Sequence, residues 1–114
     1  MQLDGEVGAR LTDVVESCDA ITEYVRNTTF EQFAATRMMR AAVERELITI
    51  GEAIGAILKI DDSLETDVSD PRGIIDLRNV LVHGYRRLDP RTIWTIALTE
   101  VPVLLAEVRR LLAE

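Results

Sequence analysis

Apolar residues return every three or four positions in four stretches of the 114-residue chain. The first runs through Val7, Leu11, Val14 or Val15, Cys18, Ile21 and Val25, one face of an amphipathic helix that starts near Leu3 and ends near Arg26. Glycines at positions 5 and 8 leave its first turn indistinct. Asn27-Thr28-Thr29 breaks the pattern, and Thr29 with Gln32 three residues on forms a capping-box signature ahead of Phe30 and Phe33. Met39, Val43, Leu47, Ile50, Ile54 and Ile57 then predict a second long helix. Met38, Met39 and these stripes are assigned to the core. After an acidic stretch from Asp61, Asp70-Pro71 reads as a cap followed by an N1 proline. The third helix holds Ile74, Leu77 and Leu81 and should fray at Gly84. Asp89-Pro90 repeats the start signal, and Ile93, Ala97, Val101, Leu104, Val108 and Leu111 form a fourth stripe. Pro102 lies inside that stripe and predicts a kink or break near Glu100. No stretch alternates with period two, so the expectation is one all-α domain over residues 1–114, with four main helices and short connections.

Composition narrows the classes. Hydrophobic residues make up 47% of the chain but aromatics only 4%, so the core falls to aliphatic side chains. The lone cysteine, Cys18, excludes an intrachain disulfide and fits a reducing compartment. No apolar run reaches the roughly 18 residues a membrane span needs, and no basic-then-apolar leader opens the chain. A cytoplasmic location without membrane attachment is therefore expected. Nothing resembles a metal-ligand cluster or a glycine-rich phosphate loop, so neither metal nor cofactor is expected.

The net charge of −7 is unevenly spread. Residues 1–71 carry fifteen acids and six bases, a balance of −9. Residues 72–91 carry five arginines (72, 78, 86, 87 and 91) against Asp76 and Asp89, a balance of +3. Overall acidity argues against nonspecific binding to duplex nucleic acid, where phosphate neutralisation dominates. A local anion site survives that argument, because salt limits distant charges to a reach of roughly 10 Å. A solvated helix face is the alternative use for these arginines.

One constellation in the basic block could carry chemistry: Arg78-Asn79-Val80-Leu81-Val82-His83-Gly84-Tyr85, which holds the only histidine. At about 100° per residue, Asn79 and His83 share a helix face, so the amide can orient the imidazole, whereas Arg78 and His83 lie about 140° apart. Arg78 and Tyr85 would align if the helix continued, so convergence of Arg78, His83 and Tyr85 requires the helix to end or distort near Gly84. A guanidinium forks onto phosphate oxygens, and an imidazole exchanges protons near neutral pH. Together they suffice for attack of an RNA 2′-hydroxyl on its own phosphodiester without a metal. That reaction wants both a base and an acid, and a two-fold dimer would supply two histidines. The alternative is a helix-end histidine in a local hydrogen bond.

The octet resembles the R-x-x-x-x-H-x-Y signature of HepT-like toxins, within the HEPN ribonuclease superfamily. Ala42-Val43-Glu44-Arg45 and Ile50-Gly51-Glu52-Ala53 are similar to that family's second long helix. Leu88 to Trp94 and Val101-Pro102 are similar to its later segments, so the resemblance covers about residues 9–112. It implies a HEPN-type up-down bundle of four to five helices that dimerises with both motif copies facing one cleft. It further implies a metal-independent endoribonuclease, the toxin of a type VII toxin–antitoxin pair. The partner would be an MntA-like nucleotidyltransferase antitoxin that adenylylates the tyrosine matching Tyr85. By the same resemblance, Arg78 binds phosphate, His83 is the acid/base, and Asn79 orients His83. Arg86 and Arg87 are assigned to RNA backbone contacts, with a solvated face the alternative. Gly51 is expected to permit close helix packing, and Glu52 to be a buried hydrogen-bonding partner. A non-catalytic helical scaffold for a nucleotidyltransferase, favoured by the acidic exterior, is the competing reading.

Overall fold

The computed structural model describes residues 4–84 and 88–114. The helices are α1 (Gly5–Val25), α2 (Phe30–Ala35), α3 (Arg37–Ile60), α4 (Leu64–Asp67), α5 (Pro71–His83), α6 (Pro90–Thr95) and α7 (Val101–Ala113), with a π-helical turn over Ile96–Glu100 between the last two. There is no strand among the described residues, and the all-α bundle stands. Because α6, the π turn and α7 run on without a break, the long elements are the four that the stripes outlined.

The ends follow their local chemistry. Asp4 caps α1, its carboxylate accepting from the amides of Glu6 at 2.8 Å and Val7 at 3.3 Å, so the helix begins despite Gly5 and Gly8. Asn27 takes φ 57°, a left-handed value that asparagine tolerates better than most residues, and turns the chain out of α1. Both halves of the Thr29–Gln32 capping box form, at 2.9 and 3.1 Å. Asp70 and Asp89 cap α5 and α6, each ahead of an N1 proline. Pro102 has no N–H to donate, and its ring would crowd the Leu98 carbonyl in an α-helix. The chain widens by one residue per turn immediately before it, with the Val101 amide donating to Ile96 five residues back. The break expected near Glu100 is this π turn.

α1 packs on α3 and α7, α3 also carries α5, and α2 packs against α6. The stripes of α1, α3 and α7 meet in one core, where Leu11, Val14, Cys18, Ile21, Val43, Ile54 and Val108 have no exposed surface. Burial pushes the Cys18 thiol up from 9.0 to about 12, reinforced by neighbouring Asp19 and opposed by Arg109. Phe33 lies 5.2 Å from Trp94 between ring centroids, with Phe30 edge-on to the same indole at 6.2 Å.

One expectation is corrected. Met38 is 82% exposed and lies outside the core, whereas Met39 packs against it, because one residue is about 100° of helix. The acidic connection after Asp61 is partly helical: α4 turns Leu64 and Val68 inward as buried residues.

Candidate active site

The motif begins deep on α5, where the helix comes closest to α3. Gly51 makes that approach possible: a Cβ there would lie 2.2 Å from Cβ of Arg78 and 3.2 Å from the Ile74 carbonyl oxygen. Arg78 therefore leaves α5 against the α3 surface. Its Nη1 donates to Asn79 Oδ1 at 3.0 Å, and its Nη2 lies 3.8 Å from Glu52 Oε1. Glu52 is half-exposed and not buried, since the residue after Gly51 turns away from the contact; it serves as an ion-pair partner on the rim. Arg78 Nε is buried with no hydrogen-bond partner among the described residues, an uncommon state for a guanidinium donor.

His83 is the last residue of α5 and is exposed. Gly84 follows at φ 64°, ψ 22°, the left-handed C-cap, with its amide on the Val80 carbonyl at 3.1 Å. The helix thus ends where the sequence places its end, but it stays regular through His83. Arg78 and His83 leave the helix axis about 140° apart, and the Arg78 guanidinium reaches round to Asn79. Asn79 shares the face of His83, and its carbonyl oxygen is engaged by Arg78. Tyr85, Arg86 and Arg87 lie outside the described residues.

Two of the basic block's described arginines turn to partners away from the motif. Arg72 pairs with Glu65, and the Arg91 guanidinium stacks 3.6 Å from the Phe30 ring centroid. Two other arginines come to the motif from the net-negative first block. Arg37 and Arg40, one turn apart at the start of α3, line a cleft of about 570 Å³ with Val80, Leu81 and Gly84 of the motif. Nothing in the local sequence marks them, because the contact joins segments some forty residues apart.

The exposed residues of α5 are Arg72, Asp76, Val82 and His83, and aliphatic residues flank them. Ile74, Ile75, Leu77 and Leu81 are only partly covered, and Val82 is 44% exposed. An apolar groove of about 300 Å³ runs between α5 and α7, with Ile74 and Leu77 on one wall and Val101 and Leu104 on the other. Among the described residues no three His, Cys, Asp or Glu side chains gather as a metal site would require, and no helix is long and apolar enough to cross a membrane.

The family model described as "Ribonuclease HepT-like" matches residues 14–111, every described part of the motif included. The chain belongs to the HepT-like ribonuclease family. Among its relatives is the protein named "Putative RNase MJ1380" of Methanocaldococcus jannaschii, 34% identical over 104 residues, covering 90% of this chain and 94% of that one. The protein named "Probable ribonuclease HepT" of Thermococcus cleftensis is 30% identical over 101 residues, covering 89% and 91%. No solved structure matches. For a HepT-like chain the helical bundle is the expected architecture, and ribonuclease activity is the property its relatives are named for.

Proposed function

We propose that this chain is a metal-independent endoribonuclease acting as a homodimer, the toxin of a type VII toxin–antitoxin pair. The observation that carries the reading is that Arg78 and His83 lie on one surface helix whose apolar flank is half-uncovered. A second copy docked along α5 would cover Ile75 and Val82 and gather the Arg78 and His83 side chains of both chains about one cleft. One His83 removes the proton from an RNA 2′-hydroxyl, and the 2′-oxygen bonds to the adjacent phosphorus. The bond from phosphorus to the 5′-oxygen breaks, and the second copy's imidazolium gives that oxygen its proton. The products are a 2′,3′-cyclic phosphate and a 5′-hydroxyl. Arg78 stabilises the charge that builds on the phosphoryl oxygens, and Asn79 holds the motif side chains in register.

Family resemblance supplies the regulation. An MntA-like nucleotidyltransferase would transfer adenylate from ATP to the phenol oxygen of Tyr85, releasing pyrophosphate. The added phosphate would oppose RNA entry through charge and bulk. Arg86 and Arg87 are retained as proposed backbone contacts.

The test is cleavage of single-stranded RNA in EDTA by the wild type and by His83→Ala. The variant should lose about 100-fold or more in rate, the usual scale for a general acid–base group. Equal cleavage by both proteins, or none by either, overturns the catalytic reading. Intact mass after incubation with the antitoxin and ATP tests the regulatory one: absence of an adenylate increment on Tyr85 removes it.

A further inference from the structure

We infer that the cleft beside the end of α5 is a second phosphate subsite, in which Arg37 and Arg40 hold the backbone of single-stranded RNA next to the cleaved bond; this rests on the ribonuclease reading. Five of the eleven described lysines and arginines have a carboxylate within ion-pair distance. Arg10, Arg26, Arg72, Arg78 and Arg109 are all ion-paired. Arg37 and Arg40 are in no ion pair among the described residues, yet they stand one helical turn apart on the same cleft. Glu44 is the single carboxylate among the described lining residues against two guanidiniums, which leaves the cleft net positive and favourable to an anion.

The two arginines differ in a useful way. Arg40 is half-buried, and its Nη1 donates to the Ala34 carbonyl at the end of α2, which fixes the plane of the guanidinium. Donors on the same fork remain for a phosphate. Arg37 is exposed and adds charge at the rim. Gly84 forms the edge nearest His83, and a Cβ on it would meet no described atom within 4 Å. Val80 and Leu81 supply an apolar wall for a ribose or an unstacked base, and Glu44 adds an acceptor. That combination of fixed cation, apolar wall and acceptor suits a nucleotide of a single strand, whose bases are free to splay.

Binding of a fluorescein-labelled single-stranded oligoribonucleotide is measured between 50 and 300 mM salt in a His83→Ala background, which prevents cleavage. Arg37→Gln should weaken binding about fivefold to tenfold and reduce the slope of log K against log salt by about 0.7, the loss of one phosphate contact. In the cleaving protein the same change should raise KM by a similar factor with kcat within about twofold. Arg40→Gln should behave alike, but because Arg40 also ties α2 to α3, the exposed Arg37 decides the matter. Arg110→Gln removes the same charge from an exposed site on α7 and should leave the slope unchanged. An unaltered slope and KM for Arg37→Gln, or an equal decline for Arg110→Gln, overturns the subsite alone while wild-type cleavage stands. A wild type that neither binds nor cleaves the strand takes the ribonuclease reading down with it.

Discussion

Helices α3 and α5 carry the same kind of apolar stripe and meet different fates. Along α3, Val43, Leu47, Ile50, Ala53, Ile54 and Ile57 are all buried, because α1 covers one side of the helix and α5 another. Along α5 only Pro71 is buried, and Ile74, Ile75, Leu77 and Leu81 stay partly open because α3 is its main neighbour. A 3.6-residue period reports that a face is apolar, not how many elements will cover it. The helix left half-covered is the one that bears Arg78 and His83. In the proposed dimer this would couple chemistry to assembly, with the half-covered surface and the motif residues on one element.

Truncations at matched depth break that comparison most sharply. Ile54→Ala empties a site with no exposed surface and should cost about 2–5 kcal/mol in chemical denaturation, at any protein concentration. Ile75→Ala should cost less in the isolated chain and instead make the melting temperature less dependent on concentration, since a dimer interface stabilises by mass action. If Ile75→Ala costs as much as Ile54→Ala at high dilution, α5 is no more open than α3 and the contrast fails.

The seam between the two helices gives the next largest effect. Gly51→Ala places a methyl 2.2 Å from the Arg78 Cβ and must push α5 outward, an overpacking loss of about 1–3 kcal/mol. Because Arg78 moves with it, RNA cleavage should fall by more than the unfolded fraction explains. At Gly55, one turn on, an added Cβ would lie 3.9 Å from Ile75 Cγ1, an ordinary contact, so Gly55→Ala should be neutral or stabilise by up to about 1 kcal/mol through helix propensity. Denaturant titration of the pair separates a helix contact from a glycine that happens to lie in a helix.

These two helices also show how far the sequence could be read. Element ends were legible because caps are local: Asp70-Pro71, Asp89-Pro90, Thr29 with Gln32, and Gly84 each satisfy backbone groups within four residues. The π turn was legible as a break, from the steric demand of Pro102, though not as a widened turn. The motif spacing placed Arg78, Asn79 and His83 on one helix, and the half-turn between Arg78 and His83 followed from period alone. What stayed hidden depends on contacts between distant segments. Arg91 leaves the basic block for the Phe30 ring, Arg72 for Glu65, and Arg37 and Arg40 arrive from a block whose sum is negative. A charge balance along the chain is a one-dimensional average, whereas a phosphate responds to what folding gathers within about a Debye length.

The sealed side of the comparison can be probed by pH. Cys18 keeps its proton in the folded chain up to about pH 12, while the unfolded chain loses it near 9.0. The folded form therefore binds more protons than the unfolded one above pH 9, and stability is full below that value and declines as pH rises. This single group should contribute a slope of about −1.4 kcal/mol per pH unit across that window. Urea unfolding at pH 8, 9.5 and 10.5 measures it, and Cys18→Ala should flatten the difference. A slope unchanged by that substitution would mean that solvent reaches the thiol between α1 and its neighbours.

The smallest expected effect comes from the adjacent methionines at the start of α3. Met39 is partly buried against the core, and Met39→Ala should cost on the order of 1–2 kcal/mol, less than a fully enclosed site because solvent can reach part of the space left behind. Met38 is 82% exposed, and Met38→Gln should change the stability of the isolated chain by no more than about 0.5 kcal/mol. Met38 follows Arg37 on the first turn of α3, so it also reports on what else covers that turn. A clear loss for Met38→Gln that appears only at high protein concentration would extend the covered surface from α5 to the start of α3. The same loss at every concentration would place Met38 against the core beside Met39.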